Sequence, residues 1–149
     1  MKMSIPSKSS ARLTLQAETA SDLMKPNPLS IKHTATAREA IAFLTKRGFS
    51  AAPVIDESGR PIGVLSRSDL LIHSNQANQA TGSSSTPQGD MLVGELMTPA
   101  VFSVTPEASA QRVVEEMVGC NVHRLFVVDA SGVLVGVISP LDVLERLRP

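Results

Sequence analysis

Two serine–aspartate pairs are the residues of this chain whose types and spacing could do chemistry. Ser66 precedes Asp69 by three positions, and Ser139 precedes Asp142 by the same distance. A serine at the N-cap with an acidic residue three positions later satisfies free amides at the start of a helix. An ionised carboxylate can also accept hydrogen bonds from two neighbouring hydroxyls. Helix capping and ligand binding are both open to these residues, and one residue can serve both.

Catalytic and metal-binding motifs are missing from the sequence. There is no Gly-x-Ser-x-Gly elbow, no phosphate loop and no His-Glu-x-x-His motif. The single cysteine, Cys120, has no obvious activating base and excludes an intramolecular disulfide, which fits a reducing cytosol. Cys120 and His123 lie three positions apart, but two candidate ligands without further donors do not make a metal site. We therefore expect no enzyme, no metal site and a cytoplasmic location.

Composition excludes several classes of partner. The chain has 149 residues with 14 basic and 14 acidic side chains, so it lacks the positive charge of a phosphate-backbone binder. It has four Phe but neither Trp nor Tyr, which leaves almost no platform for stacking nucleic-acid bases. No apolar run reaches the length of a membrane span. We expect no broad nucleic-acid binding and no membrane insertion.

The sequence contains two copies of one unit. Residues 20–71 align with residues 93–144 at an offset of 73 without a gap, and fifteen of the 52 aligned pairs are identical. The serine–aspartate pairs occupy the same place in both copies. Both candidate sites are therefore held by the same local architecture.

The same order of elements is predicted in both copies. Apolar residues at positions 37, 40, 41 and 44, and at their counterparts 110, 113, 114 and 117, fall on one face of a helix. Thr36 and Glu39 form a capping box, and Gly48 ends the first helix. An aliphatic hairpin around an Asp-x-Ser-Gly turn follows each helix. Each serine–aspartate pair then opens a closing helix, in the second copy with Pro140 at the first helical position.

Composition divides the chain into four segments. Residues 1–18 read as a flexible N-terminal arm, although Leu13, Thr14 and Leu15 could add an extended piece to a neighbouring surface. Residues 19–72 and 91–149 are the two repeat units. Residues 73–90 are polar and rich in Ser, Gln and Asn, which favours a flexible linker.

The repeat resembles the cystathionine-β-synthase (CBS) domain family. The resemblance rests on a Leu-Met-x-Pro opening, an Asp-x-x-Gly hairpin and a Gly-x-x-Ser-x-x-Asp closing, in that order and twice. It implies an α+β fold of the α/β-sandwich type, with two tandem β-α-β-β-α units packed about a pseudo-two-fold axis. It also implies a flat homodimer and the sensing of adenosine-containing ligands such as AMP, ADP, ATP or S-adenosylmethionine, with no required cofactor.

The resemblance assigns residues to three parts of a ligand. The ribose would be held by the two serine–aspartate pairs, Ser66 and Asp69 with Ser139 and Asp142. Basic residues would hold phosphate, and these differ between the copies: Arg67 in the first, and His123 and Arg124 in the second. The residues at the starts of the first strands would supply an apolar adenine pocket; they are Leu29, Ser30, Ile31, Phe102, Ser103 and Val104.

Two functions remain open from the sequence. The first is a ligand-sensing regulatory module that signals to an effector protein in trans. The second is a structural module that only dimerises or docks a partner. Under either function we expect a homodimer, because the faces of the repeated helices at Ala37, Ala40, Ile41 and Leu44, and of their counterparts, would be only partly covered by one chain.

Overall fold

Each repeat folds into a small sheet with helices packed against it. The computed structural model describes residues 12–79 and 91–149. The strands are β1 (Thr14–Leu15), β2 (Lys25–Pro26), β3 (Ile31–Lys32), β4 (Ala51–Ile55), β5 (Pro61–Ser66), β6 (Ser103–Val104), β7 (Leu125–Val128), β8 (Leu134–Ile138) and β9 (Leu147–Arg148). The helices are α1 (Ala20–Leu23), α2 (Ala37–Arg47), α3 (Arg67–Gln79), α4 (Val93–Leu96), α5 (Ala110–Gly119) and α6 (Pro140–Leu144).

The predicted β-α-β-β-α order is confirmed in both repeats. In the first, β3 runs parallel to β4 and β4 antiparallel to β5. In the second, β6 runs parallel to β7 and β7 antiparallel to β8. Helices α2 and α5 make the parallel crossovers. The hairpins turn at Gly59 and Gly132, whose φ angles of 85° and 84° suit glycine.

The ends of α2 follow from its sequence. Thr36 caps its start: the Glu39 amide donates to Thr36 Oγ1, and the Thr36 amide donates to the Glu39 carboxylate. Gly48 ends the helix in the left-handed region with a φ of 68°. Both termini are as predicted. Each crossover helix is therefore fixed in length and holds its parallel strands at a set spacing.

The two repeats exchange their opening helices. Ala20 and Leu23 of α1 belong to the hydrophobic core of the second repeat, with Val113 and Ile138. In return, α4 of the second repeat enters the core of the first repeat through Val93 and Leu96. Each core is therefore incomplete without the other repeat.

Strand pairing between the two repeats shows the same exchange. Strand β2 of the first repeat pairs with β8 of the second, with Lys25 opposite Val137. Thr98, the counterpart of Lys25, forms a bridge with Val64, the counterpart of Val137. These reciprocal contacts are the ones that a pseudo-two-fold axis between the repeats requires.

The N-terminal arm is more ordered than expected over its second half. Strand β1 pairs antiparallel with β9 at the other end of the chain. Arg146 fixes this junction because its guanidinium donates hydrogen bonds to the carbonyls of Gln16 and Asp22. Residues 12–18 are therefore tied to the second repeat and do not form a loose arm, and residues 1–11 lie outside the described part.

The predicted linker also begins later than expected. Helix α3 continues through Gln79, so residues 73–79 are helical. Polarity misled the assignment, since no Gly or Pro interrupts the segment before Gly82 and Gln and Ala favour helices. Residues 80–90 lie outside the described part. Within residues 12–79 and 91–149, no helix combines the length and apolarity needed to cross a bilayer.

Candidate functional site

Asp69 lies where the two repeats meet. Its amide donates to Ser66 Oγ at 3.1 Å, and its Oδ2 accepts the Ser66 amide at 2.9 Å, so the pair caps α3. Its other oxygen, Oδ1, accepts a hydrogen bond from the hydroxyl of Thr98 in the second repeat at 3.2 Å. The carboxylate is partly buried. Asp69 therefore joins a helix start of one repeat to the opening segment of the other.

Asp142 occupies the reciprocal position. Its Oδ2 accepts hydrogen bonds from the Ser139 amide at 2.8 Å and the Ser139 hydroxyl at 3.0 Å. Its Oδ1 lies 2.9 Å from Nζ of Lys25, which belongs to the first repeat. The hydrogen bond from Lys25 to Asp142 and the negative charges of Asp142 and Glu145 raise the pKa of Lys25 above its ordinary value. Asp142 is only 5% exposed and is the buried charged residue among those described.

The structure thus brings each predicted serine–aspartate pair together and adds a residue from the opposite repeat. Sequence reasoning missed Lys25 and Thr98. A signal for them was present, because the two residues align with each other and each precedes a proline, Pro26 or Pro99, that the repeats share. The chemical difference between Lys and Thr at this position distinguishes the two halves of the site.

The predicted phosphate residues do not form one cluster. Arg67 donates from Nε to the Phe49 carbonyl at 2.7 Å and borders a groove between α2 and α3. His123 is exposed and borders the corresponding groove between α5 and α6. Arg124 precedes β7 and is partly buried, and among the described residues it has no hydrogen-bond or ion-pair partner. None of the three forms an ion pair with a described residue, and only Arg67 has a hydrogen bond that orients its side chain.

The predicted adenine pocket is divided between surface and core. Leu29 and Phe102 are exposed, and so is Ser103, whereas Ser30 is partly buried. Ile31 and Val104 lie in the cores of the first and second repeats. Both residues are 5% exposed, so Ile31 and Val104 can border a ligand only through their backbone. The predicted pocket residues whose side chains can still contact a base are Leu29, Ser30, Phe102 and Ser103.

Two corresponding grooves lie between helices of each repeat, and neither aspartate lines them. A groove between α2 and α3, the first groove, is bordered by Ile41, Leu44, Thr45, Arg67, Leu70, Leu71 and Ser74. The second groove, between α5 and α6, includes the counterpart of each: Val114, Met117, Val118, Pro140, Val143, Leu144 and Leu147. Ala37, Ala40 and Leu44 are buried within one chain, so the expectation that they would be only partly covered is wrong for them, whereas Ile41 of the same face stays exposed. The apolar residues that remain exposed at the grooves include Ile41, Leu71, Val118 and Leu144.

Metal ligation finds no support in the described chain. Among residues 12–79 and 91–149, no group of three His, Cys, Asp or Glu side chains is placed to hold an ion. Cys120 is exposed, and its thiol lies 3.8 Å from the Glu116 carboxylate. Among the described residues, Cys120 and His123 are therefore not part of a set of three metal ligands.

Known proteins were compared with this chain. The model of the CBS domain family matches residues 20–75 and again residues 93–149. The gamma-3 subunit of 5'-AMP-activated protein kinase from Sus scrofa is 33% identical over 123 residues, covering 78% of this chain and 23% of that subunit. The chloroplastic CBS domain-containing protein CBSX1 of Arabidopsis thaliana is 31% identical over 134 residues, covering 77% of this chain and 57% of its own length.

A solved structure shares both fold and sequence with the chain. The crystal structure of CBSX2 in complex with AMP superposes with a TM-score of 0.69 at 28% identity, covering 85% of this chain and 93% of the other. The chain thus spans less than two thirds of either curated relative but nearly the whole of this solved one. The α+β fold with tandem units, expected from the sequence, is confirmed.

Proposed function

Because the chain belongs to the CBS domain family, we propose that it is a regulatory module that binds an adenosine-containing ligand between its two repeats. AMP, ADP, ATP and S-adenosylmethionine are the candidates. One observation carries the proposal: each serine–aspartate pair contacts the opening segment of the opposite repeat, Asp69 through Thr98 and Asp142 through Lys25. A ligand bound to either carboxylate would contact both repeats at once.

The chemistry of the aspartates suits a ribose. A ribose presents two neighbouring hydroxyls as donors, and an ionised carboxylate is an acceptor with two oxygens. The exposed Leu29 and Phe102, just before β3 and β6, offer apolar surface for a base. The relatives add support: one is a subunit of a kinase whose name includes AMP, and a protein of similar fold was crystallised with AMP.

Signalling would follow from the exchanged helices. A ligand held between the repeats favours whichever relative position of the repeats it binds more tightly, and only such a difference in affinity moves an equilibrium. Couplings of this kind are typically about 1–3 kcal/mol. We propose that the receiver of the signal is a separate protein, and we expect no catalysis by the two repeats themselves.

Phosphate recognition is proposed for Arg124 first. Arg124 and His123 have no hydrogen-bond or ion-pair partner among the described residues, whereas Arg67 is bound to the Phe49 carbonyl, and of the two only arginine is charged at every pH. Arg124→Ala should then weaken ATP binding more than adenosine binding, and the loss should shrink as salt rises, because the contribution is charge on phosphate. An equal loss for ATP and adenosine would remove Arg124 from this role.

A second function, a dimerisation or docking module without a physiological ligand, is favoured by one different observation. The two grooves repeat each other residue for residue, carry exposed apolar side chains and are lined by neither aspartate. Apolar surface of this kind on a small unit is typical of an interface. A homodimer through the grooves is compatible with ligand sensing, so the two functions differ only in whether the ligand exists.

Calorimetric titration decides between the functions. Protein verified free of copurified nucleotide is titrated with AMP, ADP, ATP and S-adenosylmethionine, and its melting temperature is measured with each. We expect saturable heat and a higher melting temperature with at least one, weakened in Asp69→Asn and unchanged in Glu107→Gln, a matched acid-to-amide change at an exposed residue. Absence of both effects for all four ligands at millimolar concentration would leave the docking module as the function.

A further inference from the structure

The two halves of the site differ at one pair of reciprocal positions. Lys25 in the first repeat and Thr98 in the second align with each other, and each contacts the aspartate of the opposite repeat. We propose that Asp69 is the ribose acceptor of this module and that Lys25 blocks Asp142 from this role. The proposal rests on the proposed function, which it deepens by assigning one site of the two.

Both oxygens of Asp142 are already occupied by donors. Lys25 Nζ lies 2.9 Å from Oδ1, while Oδ2 accepts both the amide and the hydroxyl of Ser139. Asp142 is 5% exposed and the Lys25 side chain is 71% exposed, so a ligand hydroxyl that takes the place on Oδ1 must displace the ammonium group. A neutral hydroxyl is a weaker donor to a carboxylate than an ammonium group, so the exchange is unfavourable.

Lys25 also cannot help to bind the ribose. An ammonium group has three donors and no acceptor, so it competes with the ribose hydroxyls for the same oxygen and offers them nothing in return. Asp142 and Glu145 both favour the charged form of Lys25 and raise its pKa. Lys25 is therefore cationic at every physiological pH, and it does not release Asp142 by losing its proton.

Asp69 is accessible by comparison. Its Oδ1 is bonded to the Thr98 hydroxyl at 3.2 Å, and no ion pair joins it to any described residue. A hydroxyl donates and accepts, so Thr98 can keep its bond to Asp69 and accept a hydrogen bond from a ligand hydroxyl as well. The carboxylate is partly buried, against the nearly complete burial of Asp142. Asp69 thus accepts two hydrogen bonds where Asp142 is contacted by three donors, and it is the more accessible of the two carboxylates.

Exchanging the two residues tests the assignment. Lys25→Thr gives the first repeat the residue that the second repeat carries, and Thr98→Lys does the reverse. Lys32→Thr is the matched control, since exposed Lys32 also aligns with a threonine, Thr105, and makes no described ion pair. Each full-length protein is titrated calorimetrically with AMP, and with adenosine to separate ribose from phosphate, and melting confirms that each is folded.

We expect one AMP per chain for the natural protein and for Lys32→Thr, and a second site in Lys25→Thr. Thr98→Lys should weaken binding about tenfold or more, the usual loss when a hydrogen bond to a charged group is removed. Asp69→Asn should abolish the site of the natural protein, and Asp142→Asn should abolish only the site that Lys25→Thr adds.

Three results overturn the assignment. In the first, Asp142→Asn removes the binding of the natural protein and Asp69→Asn leaves it intact, which means that Asp142 holds the ribose. Binding in the natural protein whose stoichiometry and affinity are unchanged in Lys25→Thr shows that Lys25 blocks nothing. If none of AMP, ADP, ATP, S-adenosylmethionine and adenosine binds any of the proteins, the proposed function fails together with the assignment, which separates that failure from the first two.

Discussion

Gly63 lies against Met97 of the opposite repeat, so closely that a Cβ on the glycine would stand 2.7 Å from Met97 Sδ and 2.7 Å from the Thr98 carbonyl oxygen. Gly136 makes the reciprocal contact with the side chain of Met24. A methionine side chain can move aside, but a carbonyl of the paired backbone cannot without breaking the bridge to Val64. The close approach of the two repeats therefore requires glycine at this position.

Gly63→Ala should lower the free energy of unfolding by about 1–3 kcal/mol, the usual cost of overpacking a tight contact. Gly119→Ala is the control: a Cβ there would meet no atom within 4 Å, and alanine favours the helix in which it lies. Urea unfolding of both variants measures the difference. Equal stability of the two variants would show that the repeats can separate slightly at no cost.

Stability should fall in acid because several carboxylates have pKa values below their ordinary range. Backbone amides of Glu18 and Thr19 lower the pKa of Asp22, and the amide of Arg60 does the same most strongly for Asp56. The Thr36 amide lowers the pKa of Glu39. A lowered pKa in the folded state stabilises the fold above the unfolded value, 3.8 for Asp and 4.5 for Glu, and this contribution is lost as pH falls through the folded value.

Urea unfolding measured across pH tests this expectation. Stability should be level above about pH 5 with respect to these groups and should decline below about pH 4. Asp22→Asn should be less stable at neutral pH and should show a shallower decline. A natural protein equally stable at pH 3 and pH 6 would contradict the role of these hydrogen bonds.

Arg146→Ala should detach the chain terminus from the second repeat. Two hydrogen bonds from its guanidinium hold the carbonyls of Gln16 and Asp22, so we expect a loss of about 1–3 kcal/mol and faster hydrogen exchange at the Gln16 amide, which donates to the Arg146 carbonyl. Arg148→Ala is the control, because its guanidinium contacts only the nearby carbonyls of Glu145 and Leu147. Unchanged exchange at Gln16 in Arg146→Ala would show that β1 holds without it.

Leu71→Asp and Leu144→Asp should prevent dimerisation if the grooves form the interface. Leu71 is 69% exposed and Leu144 is 59% exposed, so a charged residue there should change the stability of the monomer little. Within an apolar interface the same charge would be buried, which should destabilise the dimer. Light scattering over a range of concentrations should report a dimer for the natural protein and a monomer for both variants. Val101→Asp, at an apolar residue outside the grooves, should remain a dimer. A natural protein that is monomeric at every concentration would contradict the prediction.

The sequence predicted local structure better than it predicted contacts between the repeats. The helices, hairpins and caps depend on residues close in the chain, such as Thr36 with Glu39 or Ser139 with Asp142, and their spacing is visible in the letters. The exchange of α1 and α4 depends on contacts between residues far apart in the chain, which no local period reveals. Lys25 escaped notice for the same reason: lysine beside proline at the surface is unremarkable until Asp142 is placed against it.

The phosphate residues show the same limit. Position relative to the repeat indicated Arg67, but the orientation of a long side chain is set by the acceptor that it finds, here the carbonyl of Phe49. Ile31 and Val104 were assigned to a pocket by their place in the chain, and strand alternation directs them into the cores instead.

The exchange of opening helices also constrains the order of events during synthesis. The first core lacks Val93 and Leu96 until translation has passed residue 96, although every other buried residue of that core lies before position 71. Domains made from contiguous segments can fold as they emerge, N-terminal first, but the core of the first repeat is drawn from two separated segments. Its first half must stay unfinished, with apolar surface exposed, while the ribosome makes the linker, which makes the nascent chain a substrate for chaperones at that stage.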